Sequence, residues 1–118
     1  MNYDVFVQKC IEYDKRNKFT KRDLDDISAG IPALYSKYDP VDVEIEFNGC
    51  ALTFVPYSKL AKMLKEYSYL NAESVFATSN GDPFFIKKGV VYTCAHGDRE
   101  PEFEKVANSF DAFIKMLF

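Results

Sequence analysis

Val41-Asp42-Val43-Glu44-Ile45-Glu46-Phe47-Asn48-Gly49 is the stretch on which the fold turns. Apolar Val41, Val43, Ile45 and Phe47 alternate with Asp42, Glu44 and Glu46. That period of two sends alternate side chains to opposite faces of a strand. One face is then apolar, and the other carries carboxylates spaced about 7 Å apart by the rise of an extended chain. Asn48-Gly49 supplies the residues a tight hairpin turn needs, because both of its central positions take positive φ. A return strand is predicted over 50–55, with Pro56 stopping it.

Downstream, Ser58 is placed to cap a helix presenting Leu60, Met63, Leu64 and Tyr67. Strands are predicted at 75–78, 83–87 and 90–94. Ser79-Asn80-Gly81-Asp82 and Lys88-Gly89 are the turns between them. The polar, acidic run 96–104 reads as an exposed loop. Ser109 caps a last helix with Asp111 near its positive end, and Phe110, Phe113, Ile114 and Leu117 form its apolar stripe.

Upstream, Asn2 or Asp4 can cap a first helix whose stripe is Tyr3, Phe6, Val7, Cys10 and Ile11. Lys15, Arg16 and Lys18 read as its solvated end. Thr20 and Asp23 have capping-box spacing, which predicts a short helix burying Leu24 and Ile27 and ended by Gly30. Pro32 suits the first turn of another helix through Leu34, Tyr35 and Tyr38. Asp39-Pro40 ends it, since the residue before proline avoids helical angles. Helices, a run of strands interrupted by a helix, and a closing helix make an α+β fold. A mainly antiparallel, twisted sheet flanked by helices is expected, as one domain spanning 1–118.

Composition narrows the function. With 11 Phe and 8 Tyr but no Trp, the core is expected to be packed by aromatic rings. No apolar run approaches the roughly 20 residues of a membrane span, and Met1-Asn2-Tyr3-Asp4 lacks the basic start of a signal peptide. A cytoplasmic protein is expected. Cys10, Cys50 and Cys94 fit neither a disulfide framework nor a paired zinc motif, so they read as reduced thiols. A net charge of -3 speaks against a nucleic-acid ligand and suits a basic protein partner.

Several local signatures fall in sequence: Ile31-Pro32 followed by Tyr35, Asn48-Gly49 after a strand, Ser79-Asn80-Gly81-Asp82-Pro83 leading to Val90-Val91-Tyr92, and Ala107-Asn108-Ser109-Phe110-Asp111-Ala112-Phe113. Their order resembles the SUKH superfamily, the bacterial immunity proteins and their fungal relatives, the cell-wall assembly regulators. The similarity runs from Ile31 to Leu117. It implies a twisted sheet flanked by helices and a stoichiometric role: binding a cognate toxin, often a nuclease, and blocking it. It implies no catalysis, no cofactor and no fixed set of binding residues.

Read without the resemblance, the candidate partner-binding residues are the strand acids Asp42, Glu44 and Glu46 and the loop acids Asp98, Glu100 and Glu102. Either set can also be an ordinary solvated surface, and Arg99 and Lys105 dilute the charge of the loop. Tyr57, Tyr67 and Tyr69 are candidate anchors. Cys94 and His96, two apart, raise a thiol–imidazole pair, though neighbours on one strand rarely provide an aligned proton path. His96, Asp98, Glu100 and Glu102 alternate as oxygen and nitrogen donors for a metal, but only a gathered geometry would make them a site. Walker, dinucleotide and nucleophile-elbow glycine patterns are absent from the sequence. The alternative to a toxin-binding protein is a small regulatory or ligand-binding domain, which an apolar pocket lined by Tyr and Phe would favour.

Overall fold

The computed structural model describes every residue of the chain except Asp25, Asp26, Ser28 and Arg99. Its elements run α1 (Asp4–Tyr13), β1 (Lys18–Lys21), α2 (Leu34–Lys37), β2 (Tyr38–Asp42), β3 (Glu44–Phe47) and β4 (Cys50–Phe54). A 3-10 turn at Tyr57–Lys59, α3 (Leu60–Glu66) and a second 3-10 turn at Ser68–Leu70 follow. Then come β5 (Ser74–Ser79), β6 (Asp82–Lys87), β7 (Val90–Thr93), β8 (Glu104–Ala107) and α4 (Phe110–Met116). The α+β class and the antiparallel sheet are as expected. Strands β3 to β8 form a six-stranded antiparallel meander in sequence order, and β1 and β2 form a separate antiparallel pair.

Local chemistry explains the meander. Asn48-Gly49, Asn80-Gly81 and Lys88-Gly89 all have positive φ at both positions, the backbone of tight hairpin turns. Alternation along β6 is then enforced on both faces. Phe84 and Ile86 enter the larger core with α1 and α4, whereas Phe85 enters a smaller one beneath α3 with Leu70, Val75 and Cys94. The larger core is a network of rings: Phe76 meets Phe110 edge-on at 5.0 Å, and Phe47 meets Phe113 at 5.4 Å. Phe47 also meets Phe84 at 5.8 Å, although two strands separate β3 from β6. Three inter-strand spacings in a flat sheet would set those backbones about 14 Å apart, so the sheet curls over this core.

α4 forms as its sequence dictates. The Ser109 hydroxyl accepts the Ala112 N–H at 3.0 Å, and Phe110, Phe113, Ile114 and Leu117 are buried. Asp111 accepts a hydrogen bond from the Tyr3 hydroxyl, which ties the last helix to the first.

Other expectations are corrected. Thr20 lies in β1, paired with Asp39 of β2, so the capping-box helix does not start there. Arg22 and Leu24 continue the contact by donating to the carbonyls of Lys37 and Ser36, and Leu24 is exposed. Pairing with a partner strand outweighs the local capping signal; the rest of that expected helix includes 25, 26 and 28, outside the described residues. The alternating stretch is two strands rather than one, broken at Val43 and assigned to different sheets. The break lies where the Asn17 side chain accepts the Glu44 N–H at 2.9 Å. Tyr38 begins β2 instead of ending α2, and Pro40 sits within that short, two-stranded pair, where a missing donor is tolerated. Ser58 lies inside a 3-10 turn and caps nothing. Ile11 is exposed. Glu104, expected as the end of the loop, instead begins β8, which runs on through residues 105–107 against β7.

Candidate partner-binding surface

The strand acids lie at the far edge of the sheet. Asp42 closes β2, while Glu44 and Glu46 project from β3, whose other flank pairs with no strand among the described residues. All three carboxylates are exposed. In the β3–β4 ladder, Phe47 faces Cys50 across the turn, and Phe54 donates to Val43. Antiparallel pairing alternates the backbone groups, so those of Glu44 and Glu46 point away from the sheet. Charged side chains at these positions discourage another strand from adding to the edge. A cation also stands nearby. Arg16 is gripped by Asp14, with Nη2 2.8 Å from Oδ2, and this hydrogen bonding holds the Asp14 carboxyl down at about 2. Arg16 in turn feels Glu44 and Asp42, after Asp14 itself. The patch is mixed in sign.

The loop acids are placed differently. Asp98, Glu100 and Glu102 are exposed between β7 and β8, and both ends of their loop are anchored. At the far end Phe103 packs edge-on against Phe85 at 5.0 Å and near Tyr92 at 6.0 Å. Lys87 Nζ lies 5.3 Å from the Phe103 ring centroid. At the near end Asp82 Oδ1 accepts the His96 N–H at 2.9 Å and contacts His96 Nδ1 at 2.6 Å. The His96 ring lies over Gly81, where an added Cβ would come within 3.1 Å of it. Burial works against the Asp82 charge, yet the hydrogen bonds from His96 outweigh it and hold the carboxyl below its usual range.

Two of the three candidate anchors join this loop. The Tyr67 hydroxyl donates to the Gly81 carbonyl at 2.8 Å, and its ring lies 6.2 Å from that of Tyr69. Tyr69 is 47% exposed. Its phenol is pushed up by burial first, then by Cys94 and by the carboxylates of Asp82 and Asp98. Tyr67, Tyr69, Asp82 and His96 therefore meet at one corner of the α3 face, within the electrostatic reach of Asp98. Tyr57 stands apart: the Arg22 guanidinium covers its ring at 3.9 Å. Asp42, Glu44 and Glu46 do not join the corner; they line the surface around Asp14 and Arg16 instead.

Cys94 and His96 are not assembled as a nucleophile and base. Cys94 is buried in the smaller core, and burial, with Asp82 and Asp98, pushes its thiol up, which lowers the thiolate fraction. His96 turns its Nδ1 to Asp82 instead. Among the described residues, no three His, Cys, Asp or Glu side chains gather as a metal set, so the alternating His96, Asp98, Glu100 and Glu102 are not drawn together. No helix among them is long and apolar enough to cross a membrane.

Asp82 and Phe103 were not singled out from sequence. The signal for Asp82 lay in the turn at Lys88-Gly89. A two-residue turn there pairs Lys87 with Val90 and Phe84 with Thr93, which carries Asp82 to the level of His96. No protein-family model, curated protein or solved structure matches the chain.

Proposed function

We propose that the chain is a non-catalytic protein-binding domain of the SUKH type, an immunity protein that binds a cognate toxin and occludes it. One observation carries the reading: the half-buried Tyr67 with the exposed Tyr69, and an acidic loop, both anchored by the same turn, share the corner around Gly81 and Asp82. Protein-binding surfaces concentrate their energy in aromatic anchors held in place before the partner arrives, and complementary charge speeds encounter. The placement of the resembling motifs supports the family reading. Ile31-Pro32 precedes α2, Asn48-Gly49 joins β3 to β4, Gly81-Asp82 opens the β6–β7 hairpin, and Ser109 caps α4.

The test is a search of the coding sequence next to this chain for a toxin domain, co-expression with it, and titration of the two purified proteins. Protection with a stoichiometric complex is expected. Neither protection nor binding would sink the proposal.

A second reading has one observation in its favour. An open cleft of about 310 Å³ lies at the turn end of the curled sheet, with Phe47, Phe84, Val106 and Met116 among its walls. A small ligand there would make this a ligand-binding regulatory domain. Blocking the cleft at Val106→Trp would then abolish function while Tyr69→Ala left it intact.

A further inference from the structure

Two aromatic rings of this chain already hold cations of their own. Arg22 lies 3.9 Å from the centroid of Tyr57. Lys87 lies 5.3 Å from that of Phe103 and donates to the Leu70 carbonyl at 3.1 Å. Each pairs a positive group with the negative face of a ring. Tyr67 and Tyr69 carry no such cation among the described residues. Their rings are inclined at 45°, with centroids 6.2 Å apart, and the Tyr67 hydroxyl is fixed on Gly81.

The neighbouring carboxylate is half used. Both contacts from His96 fall on Asp82 Oδ1, and Oδ2 takes no hydrogen bond among the described residues. His96 therefore acts as a positioning residue: it fixes Asp82 through one oxygen and leaves the other available. Asp98 adds a second negative charge near the Tyr69 phenol. An exposed ring that feels the field of two carboxylates disfavours an anion and favours a cation.

We infer that the Tyr67–Tyr69 corner, with Asp82 and Asp98, is a receptor for an arginine side chain on the surface of the protein partner. The planar guanidinium stacks on the exposed Tyr69 ring and donates from its edge to the carboxylates. A lysine ammonium is a compact, strongly hydrated charge and can do only the second. The inference rests on the proposed function for its partner and names the chemistry by which that partner is held.

Titration of the isotopically labelled chain with Nα-acetyl-arginine amide, followed by amide NMR shifts, tests it. The matching citrulline amide serves as a neutral isostere. Saturable shifts are expected at Tyr67, Tyr69, Gly81 and Asp98, with citrulline weaker by about tenfold or more, equal to about 1.4 kcal/mol. Tyr69→Ala and Asp98→Asn should each remove the response while the amides of Phe76 and Phe113 keep their positions, which reports an intact fold. Equal response to both amides, shifts centred elsewhere, or an unaffected Tyr69→Ala would overturn the inference. The toxin complex separates this from the broader reading. A complex that tolerates Tyr69→Ala without loss of affinity overturns the arginine receptor and leaves the immunity role standing. Arginine recognition by a chain that binds no toxin overturns the immunity role and leaves the receptor standing.

Discussion

Asn17 fastens the start of β3 to the end of α1: its Oδ1 accepts the Glu44 N–H at 2.9 Å, and its Nδ2 donates to the Cys10 carbonyl at 2.8 Å. Asn17 is buried, so neither bond is readily replaced by water. With a single side chain it satisfies one outward N–H of an edge strand and gives the Cys10 carbonyl, which already accepts the Asp14 N–H, a second donor. Asn17→Ala should lower the unfolding free energy by about 1–3 kcal/mol, because the Glu44 N–H loses its partner and the Cys10 carbonyl keeps only the Asp14 N–H. Asn17→Asp, which keeps the acceptor but loses the donor and buries a charge, should do no better at neutral pH. Urea denaturation checks both, and a midpoint for Asn17→Ala equal to wild type would refute the account.

Gly30 makes a second sharp demand. Its φ is +91°, and a Cβ there would lie 2.8 Å from Cβ of Glu73. Glu73 has little freedom to yield: its N–H donates to the Ile86 carbonyl, and its carboxylate accepts the Lys88 N–H. Gly89 has a φ of +77° with nothing within 4 Å of a Cβ. Gly89→Ala should therefore cost about 1 kcal/mol of backbone strain alone, and Gly30→Ala about 1–3 kcal/mol more from overpacking. Equal thermal shifts for the two variants would show that the contact with Glu73 is irrelevant.

What could be read from sequence was what neighbours in the chain decide. The turns at Asn48-Gly49, Asn80-Gly81 and Lys88-Gly89 declare themselves because residues free to take positive φ are few. The cap at Ser109 and the stripe behind it are equally local. β1 and β8 were missed because KFTK and EKVA have no pattern of their own; each becomes a strand only by pairing with β2 or β7. The break at Val43 is imposed by Asn17, which lies 27 residues before Glu44. The same limit applies to the candidate site. That the acids are exposed was legible, but their grouping depends on the order of strands, which puts Asp98 with Tyr69 and leaves Glu44 on the opposite edge.

The three thiols should separate by reactivity and by pH. Cys50 is exposed, whereas Cys10 and Cys94 are buried. Burial pushes the Cys10 thiol up from 9.0 to about 12. Below pH 9 the folded and unfolded chains both hold that proton. Above it the unfolded chain releases the proton first, so folding stability is full below the unfolded value and falls as pH rises toward the folded one. The expected slope is a loss of up to about 1.4 kcal/mol per pH unit from Cys10. Tyr3 and Tyr35 add losses of the same sign at higher pH, since burial raises both phenols. Denaturant titrations at pH 9 and pH 10 should show the loss in wild type and less of it in Cys10→Ala, whatever the absolute stability of that variant. Iodoacetamide should label Cys50 well before the other two. An identical pH slope in Cys10→Ala would remove Cys10 from the explanation.

The two acidic surfaces make opposite predictions for encounter with a basic partner. Around Asp42 and Glu44 the Arg16 guanidinium offsets part of the negative field, and Glu44 and Glu46 have separate work in guarding an open strand edge. The Asp98 carboxylate is felt by the exposed Tyr69, and its loop is anchored through Phe103. Reversing Asp98, Glu100 and Glu102 to Lys should therefore slow association with the proposed basic partner more than reversing Asp42, Glu44 and Glu46. The gap should be widest at low salt and should narrow at about 0.15 M, where the screening length falls to about 8 Å. Stopped-flow association rates across a salt series read this directly, and dissociation should change less, because exposed charges act mainly on encounter. If the strand triple variant is the slower one, partner capture belongs to the β3 edge. The tyrosine corner would then be ordinary surface.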